Sequence, residues 1–148
     1  MDRIEIVTSA FSSIEANDFA TVEKFIHKDY LLTGAVPNPM GKKEVLTMLK
    51  SLKAGFPDLR FNLSGLQEQT GQVHGSFRIT GTHTKALELG FLGMPSQPAT
   101  RIKLQLPDEK MTVSFLGERI SDLQVEPVEG GGLVGLLNQI GVALAAPV

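Results

Sequence analysis

The side chains that titrate near neutral pH are three histidines, His27, His74 and His83. Imidazole serves as a general acid, a general base or a metal ligand. No two of the three stand four residues apart, so the helical two-histidine zinc motif is absent. The chain has no cysteine. Disulfides, thiolate metal sites, iron–sulfur clusters and thiol nucleophiles are therefore excluded together. Proton transfer and hydrogen bonding remain, by imidazole, by carboxyl groups and by the single phenol, Tyr30. One further pattern suggests chemistry. Gly130-Gly131-Gly132-Leu133-Val134-Gly135 matches G-x-G-x-x-G. A dinucleotide site needs a βαβ unit and an acidic residue about 20 positions on. Thirteen residues follow Gly135 and none is acidic, so the segment reads as a flexible hinge before a packed tail.

These residues must be positioned by the elements around them. Ile4, Val7, Phe11 and Ile14 recur at spacings of three and four, one apolar helical stripe. Asn17-Asp18 interrupts it, and Asp18 caps a second helix running through Ile26, with Phe19, Val22, Phe25 and Ile26 inward. His27 then falls at a helix end, where a cation suits the helix dipole. Tyr30–Thr33 is a short strand, and the prolines and glycine of 36–41 make a loop. A third helix turns Val45, Leu46, Leu49 and Leu52 inward and stops at Gly55 and Pro57.

The second half alternates. Leu59, Phe61 and Leu63 alternate with polar residues, and Gln72–Thr84 reads as one long antiparallel strand. Val73, Gly75, Phe77, Ile79, Gly81 and His83 share its inner parity, and His74 lies on the outer one. Glycines on the inner parity mark bends, so the sheet curls around something. Residues 85–98 form an apolar insertion. Ile102, Leu104 and Leu106 mark another strand, Pro107–Lys110 a turn, Met111, Val113 and Phe115 a return strand, and Arg119–Glu126 the last strand. Leu133, Leu136, Leu137, Ile140 and Leu144 mark a terminal helix. Helices followed by a mostly antiparallel sheet are the α+β class.

The 148 residues make one domain. Residues 1–60 hold eight basic and eight acidic side chains, so no basic half exists to meet nucleic acid. No uninterrupted apolar run suits a membrane. The charged start, Met1-Asp2-Arg3-Ile4-Glu5, lacks an apolar leader, and the expected location is cytoplasmic.

Several segments together resemble the SnoaL-like polyketide cyclases of the nuclear transport factor 2-like superfamily. They are Phe25–Leu31, Phe56–Arg60, Gly81–Thr84, Phe91–Pro95 and Gly117–Asp122, in that order. The resemblance covers roughly residues 3–127. It implies a cone: a curved, mixed, mostly antiparallel sheet wrapped around three N-terminal helices, here with a C-terminal helix added. Residues 1–128 would be that domain, and 129–148 a glycine hinge and amphipathic helix packed on it or on a partner. The resemblance implies cofactor-free ring closure with no metal. A carboxylate removes a proton beside a carbonyl, and nearby donors hold the enolate. Such a base needs an apolar pocket to raise its pKa.

Carried over residue by residue, the family's catalytic aspartate falls on Val125, which takes no proton. The family's glutamine and histidine pair falls near Glu109 and Met111. Asp122 and Glu126 are the carboxylates expected to stand in as base, each needing a one-residue bulge to turn inward. His83 is the expected donor or general acid. His27, Tyr30, Phe77, Phe91, Met94 and Val125 are the expected pocket lining. The chain then binds a small apolar carbonyl compound as a cyclase or isomerase. Two alternatives stay open: a non-catalytic binder, favoured by Val125, and a dimeric interaction module. The superfamily implies a homodimer.

Overall fold

A computed structural model describes residues 1–144. The last four residues of the expected 129–148 tail lie outside the described residues. Helices α1 (Arg3–Glu15) and α2 (Phe19–Phe25) are joined by a tight turn at Asn17, whose φ of +60° an asparagine tolerates. Each is capped by an aspartate: Asp2 accepts from the Glu5 N–H and Asp18 from the Thr21 N–H. Strand β1 (Ile26–Thr33) follows, then β2 (Met40–Gly41) and helix α3 (Lys42–Gly55). Strands β3 (Ser64–Gln69), β4 (Gln72–Phe77), β5 (Thr80–Thr82), β6 (Lys103–Gln105), β7 (Glu109–Leu116) and β8 (Arg119–Val125) lead to helix α4 (Gly132–Gln139).

Six strands form one sheet in the order β2-β1-β8-β7-β4-β3, and β5 pairs with β6 in a second. All pairs are antiparallel except β1 with β8. This is the expected α+β class with a mixed sheet. The helices pack their apolar stripes on one face of it: Val7, Phe11 and Ile14 from α1, Val45, Leu49 and Leu52 from α3. No helix among the described residues is long and apolar enough to cross a membrane.

Four local expectations are corrected. The second helix ends at Phe25, and Ile26 pairs with Ile120 of β8. His27 is therefore a strand residue, its Nδ1 accepting the Asp29 N–H at 3.0 Å. β-Branched Ile26 is better placed on the pleated surface than in a last helical turn. The long strand of 72–84 breaks after Phe77, and its second part leaves for the other sheet. The inner parity nevertheless survives the break: Val73, Phe77, Gly81 and His83 are all buried. Leu59–Leu63 makes only an isolated bridge, Arg60 to Thr80, because Asn62 turns left-handed at φ +48°. Ile102, expected inward, is exposed, following Arg101 at φ +67°.

The glycine segment gains a physical account. A Cβ on Gly131 would lie 2.8 Å from Glu109 Oε1, and one on Gly132 would lie 2.8 Å from the Ala35 carbonyl oxygen. The chain thus passes against the sheet too closely for side chains. α4 then lays Leu133, Leu136 and Leu137 into the core.

Gly34 makes a similar close approach: at φ +86°, a Cβ there would overlap the Val125 carbonyl. Gly93, at φ +67°, has open space around it. Gly93→Ala should cost roughly 1–2 kcal/mol, the left-handed penalty alone. Gly34→Ala adds overpacking of about 1–3 kcal/mol. Urea denaturation of the two variants should show Gly34→Ala well below Gly93→Ala in stability.

Candidate functional site

Between the helices and the sheet lies a cavity of about 110 Å³. Its wall is apolar almost throughout. Phe11, Met48, Phe61, Phe77, Leu123 and Val125 contribute from helices, loop and sheet, and Leu133 and Leu136 from α4. Two side chains with polar groups line it, Tyr30 and Glu109.

Glu109 is 1 % exposed, at the start of β7. It pairs with Phe77 of β4, and Met111, two residues on, pairs with Val125 of β8. Glu109, Met111 and Val113 are the inward residues of β7. The carboxyl thus stands on the same face as Val125 and next to its level. Oε1 accepts the Gly132 N–H at 2.8 Å, at the first residue of α4. Oε2 is buried without a partner among the described residues. Burial pushes this carboxyl above its ordinary value, and the Gly132 N–H pulls partly back.

Tyr30 lies in β1, where burial raises its phenol strongly and the nearby Asp122 charge raises it further. It is a neutral donor at any ordinary pH. Leu32 pairs with Leu123, so Tyr30 stands level with Ser121, whereas Glu109 stands level with Pro127. Tyr30 and Glu109 reach the cavity from strands on opposite sides of β8.

The other expected site residues separate. Tyr30, Phe77 and Val125 line the cavity together; His27, Phe91, Met94 and His83 do not. Phe91 and Met94 pack half-buried on the core. His83 is fully buried beyond the cavity wall and stacks on Phe56 at 5.1 Å. Its Nδ1 accepts the Thr100 N–H at 3.2 Å and lies 2.9 Å from the Thr100 hydroxyl. Burial lowers its pKa, so the ring is neutral, with Nε2 unpartnered among the described residues. The geometry makes it a strut for the 84–101 loop.

A bulge does occur in β8. Ser114 pairs with Asp122 but Phe115 pairs with Ile120, which leaves Ser121 extra. It turns Ile120, Leu123 and Val125 inward and leaves Asp122 off the cavity, level with exposed Leu31. Glu126 lies past the end of β8, exposed. Of these carboxylates, Glu109 lines the cavity and the expected Asp122 and Glu126 do not. The Pro107-Asp108 pair reads as a turn and hides Glu109. Extending the parity of Met111 and Val113 two residues back is the signal that finds it.

The SnoaL-like polyketide cyclase family profile matches residues 5–102. The fold is similar to a SnoaL-like polyketide cyclase from Agrobacterium tumefaciens C58, at 18% identity and TM-score 0.66, covering 95% of this chain and 99% of that one. It is also similar to IdmH, a candidate polyketide cyclase from Streptomyces antibioticus, at 17% identity and TM-score 0.70, covering 96% and 100%. An NTF2-like protein of unknown function from Cytophaga hutchinsonii matches at 9% identity and TM-score 0.59, covering 84% and 88%. No curated protein matches the chain significantly.

The raised carboxyl pKa sets a pH dependence. The unfolded chain ionises Glu109 near 4.5, while the folded chain keeps the proton to higher pH. Its contribution to stability is full below that value and is lost as pH rises through the folded pKa. Glu109→Gln keeps an acceptor for Gly132 and does not titrate. The stability of Glu109→Gln relative to the parent should rise from pH 4.5 upward and then level off, measured by urea unfolding across pH.

Proposed function

Because the chain belongs to the SnoaL-like polyketide cyclase family, we propose that it binds a small apolar carbonyl compound in the cavity and moves a proton beside the carbonyl. Glu109 is the base. The observation that carries this reading is a buried carboxyl with one free oxygen, set in an otherwise apolar wall at the end where Val125 lacks a carboxylate. Oε2 takes the α-proton, and the electron pair moves into an enolate. The carbanion then closes a ring on a second carbonyl of the same molecule, and Glu109 returns its proton to the new alkoxide. Return of the proton to a different carbon gives an isomerase instead. Neither route requires a cofactor.

Tyr30 donates to an oxygen of the ligand and orients it. The His83 imidazole has no part in the step.

A non-catalytic binder is the second reading. Val125 favours it, and so does the hydrogen bond that ties Glu109 to Gly132.

Exchange of the α-protons of cyclohexanone for deuterium, followed by NMR, separates the two. The enzyme reading expects exchange above buffer that rises with pH through the raised Glu109 pKa and falls at least 100-fold in Glu109→Gln, with binding kept. Binding without any protein-dependent exchange, in parent and variant alike, establishes the binder and removes the base.

A further inference from the structure

At about 110 Å³, the cavity is smaller than the ~150 Å³ that admits one benzene ring. A compound larger than that fits inside only if part of the wall gives way. The sheet cannot do so cheaply, since its central strands are paired on both sides. The remaining wall includes Gly132, Leu133 and Leu136 of α4.

α4 is held differently at its two ends. Before it, the backbone passes through Gly130 at φ +80° and enters the helix at Gly132 at φ +66°, with Gly131 between. Three successive residues without side chains have the backbone freedom of a hinge, held in the closed form by the Gly132 N–H on Glu109 and the Leu133 N–H on the Ala35 carbonyl. At the other end Ile140 and Val142 are buried, and one side chain makes two polar bonds. Gln139 Oε1 accepts the Gln105 N–H at 2.9 Å, and Gln139 Nε2 donates to the Gln105 carbonyl at 2.9 Å. Gln105 belongs to β6, whose other edge pairs with β5. The Gln139 amide therefore occupies the open edge of a two-stranded sheet, in place of a third strand. Both bonds are exposed to solvent, which weakens them as anchors.

We propose that α4 is a door over the cavity, hinged at Gly130–Gly132 and latched by Gln139 on Gln105. Opening admits the ligand and releases the Glu109 carboxyl from the Gly132 N–H. Leu133, Leu136 and Leu137 are buried when it is shut, so the closed form is the resting one. An apolar ligand that fills the vacated space restores part of that burial. The door governs access, and it stands whether the bound compound reacts or not.

The absence of native cysteine allows a clean cross-link. Gln105→Cys with Gln139→Cys, bridged by a short reducible bis-thiosulfonate, fixes the latch. Amide hydrogen exchange reads the door without any ligand. The Leu136 and Leu137 amides should exchange as a group at least tenfold faster than those of Val113 and Leu123. Gln139→Ala should speed that group several-fold and leave β7 and β8 unchanged. The bridge should slow it to the rate of the sheet, and reduction should restore it. Exchange of α4 and sheet at one common rate, unmoved by Gln139→Ala or by the bridge, would overturn the proposal. Uptake of fluorobenzene, followed by 19F NMR, should slow at least tenfold when bridged; equal uptake in bridged and reduced protein would also overturn it. Failure of fluorobenzene to bind at all counts against the apolar-binding reading, and hydrogen exchange still decides the door.

Discussion

A carboxyl group buried in an apolar wall needs a partner, and Glu109 has one, the N–H of Gly132. Much else in the molecule follows from that contact. It brings the chain after β8 back across the sheet, and close enough that glycine is required at 131 and 132. It starts α4 at the edge of the cavity, so that Leu133 and Leu136 finish the wall. The end of α4 that lies over the carboxyl also supplies the partial positive charge of a helix N-terminus. Burial and the helix act in opposite directions on the proton, and burial prevails.

The wall itself depends on strand parity. Two irregularities preserve it rather than break it. The extra residue at Ser121 keeps Ile120, Leu123 and Val125 all inward across the bend of β8. The break after Phe77 sends β5 into a second sheet while Gly81 and His83 stay buried. Curvature is thus concentrated at a few residues, and the apolar lining runs past them without interruption.

Several features were legible in the chain because they rest on neighbours in sequence. The apolar stripes of α1 and α3, the Asp18 cap of α2 and the alternation of 72–84 each follow from local spacing and local hydrogen bonds. The order of helices before strands was legible as well. Glu109 was not. Its neighbours Pro107 and Asp108 have turn composition, and a carboxyl on an inner parity runs against hydropathy. His83 shows the reverse case: its parity correctly made it a buried residue, yet the cavity lies elsewhere.

The sequence by itself determined most of the element types and inward faces, the family and the absence of thiol or paired-histidine chemistry. Those depend on periods of two and 3.6 residues, on caps and on residue identity. Only the tertiary structure decided which carboxyl reaches the cavity, where the imidazole ends up and what the glycine segment is for. Strand pairing and the return of α4 join residues far apart in the chain. Glu109 meets Gly132, and Gln105 meets Gln139, through contacts that no local pattern encodes.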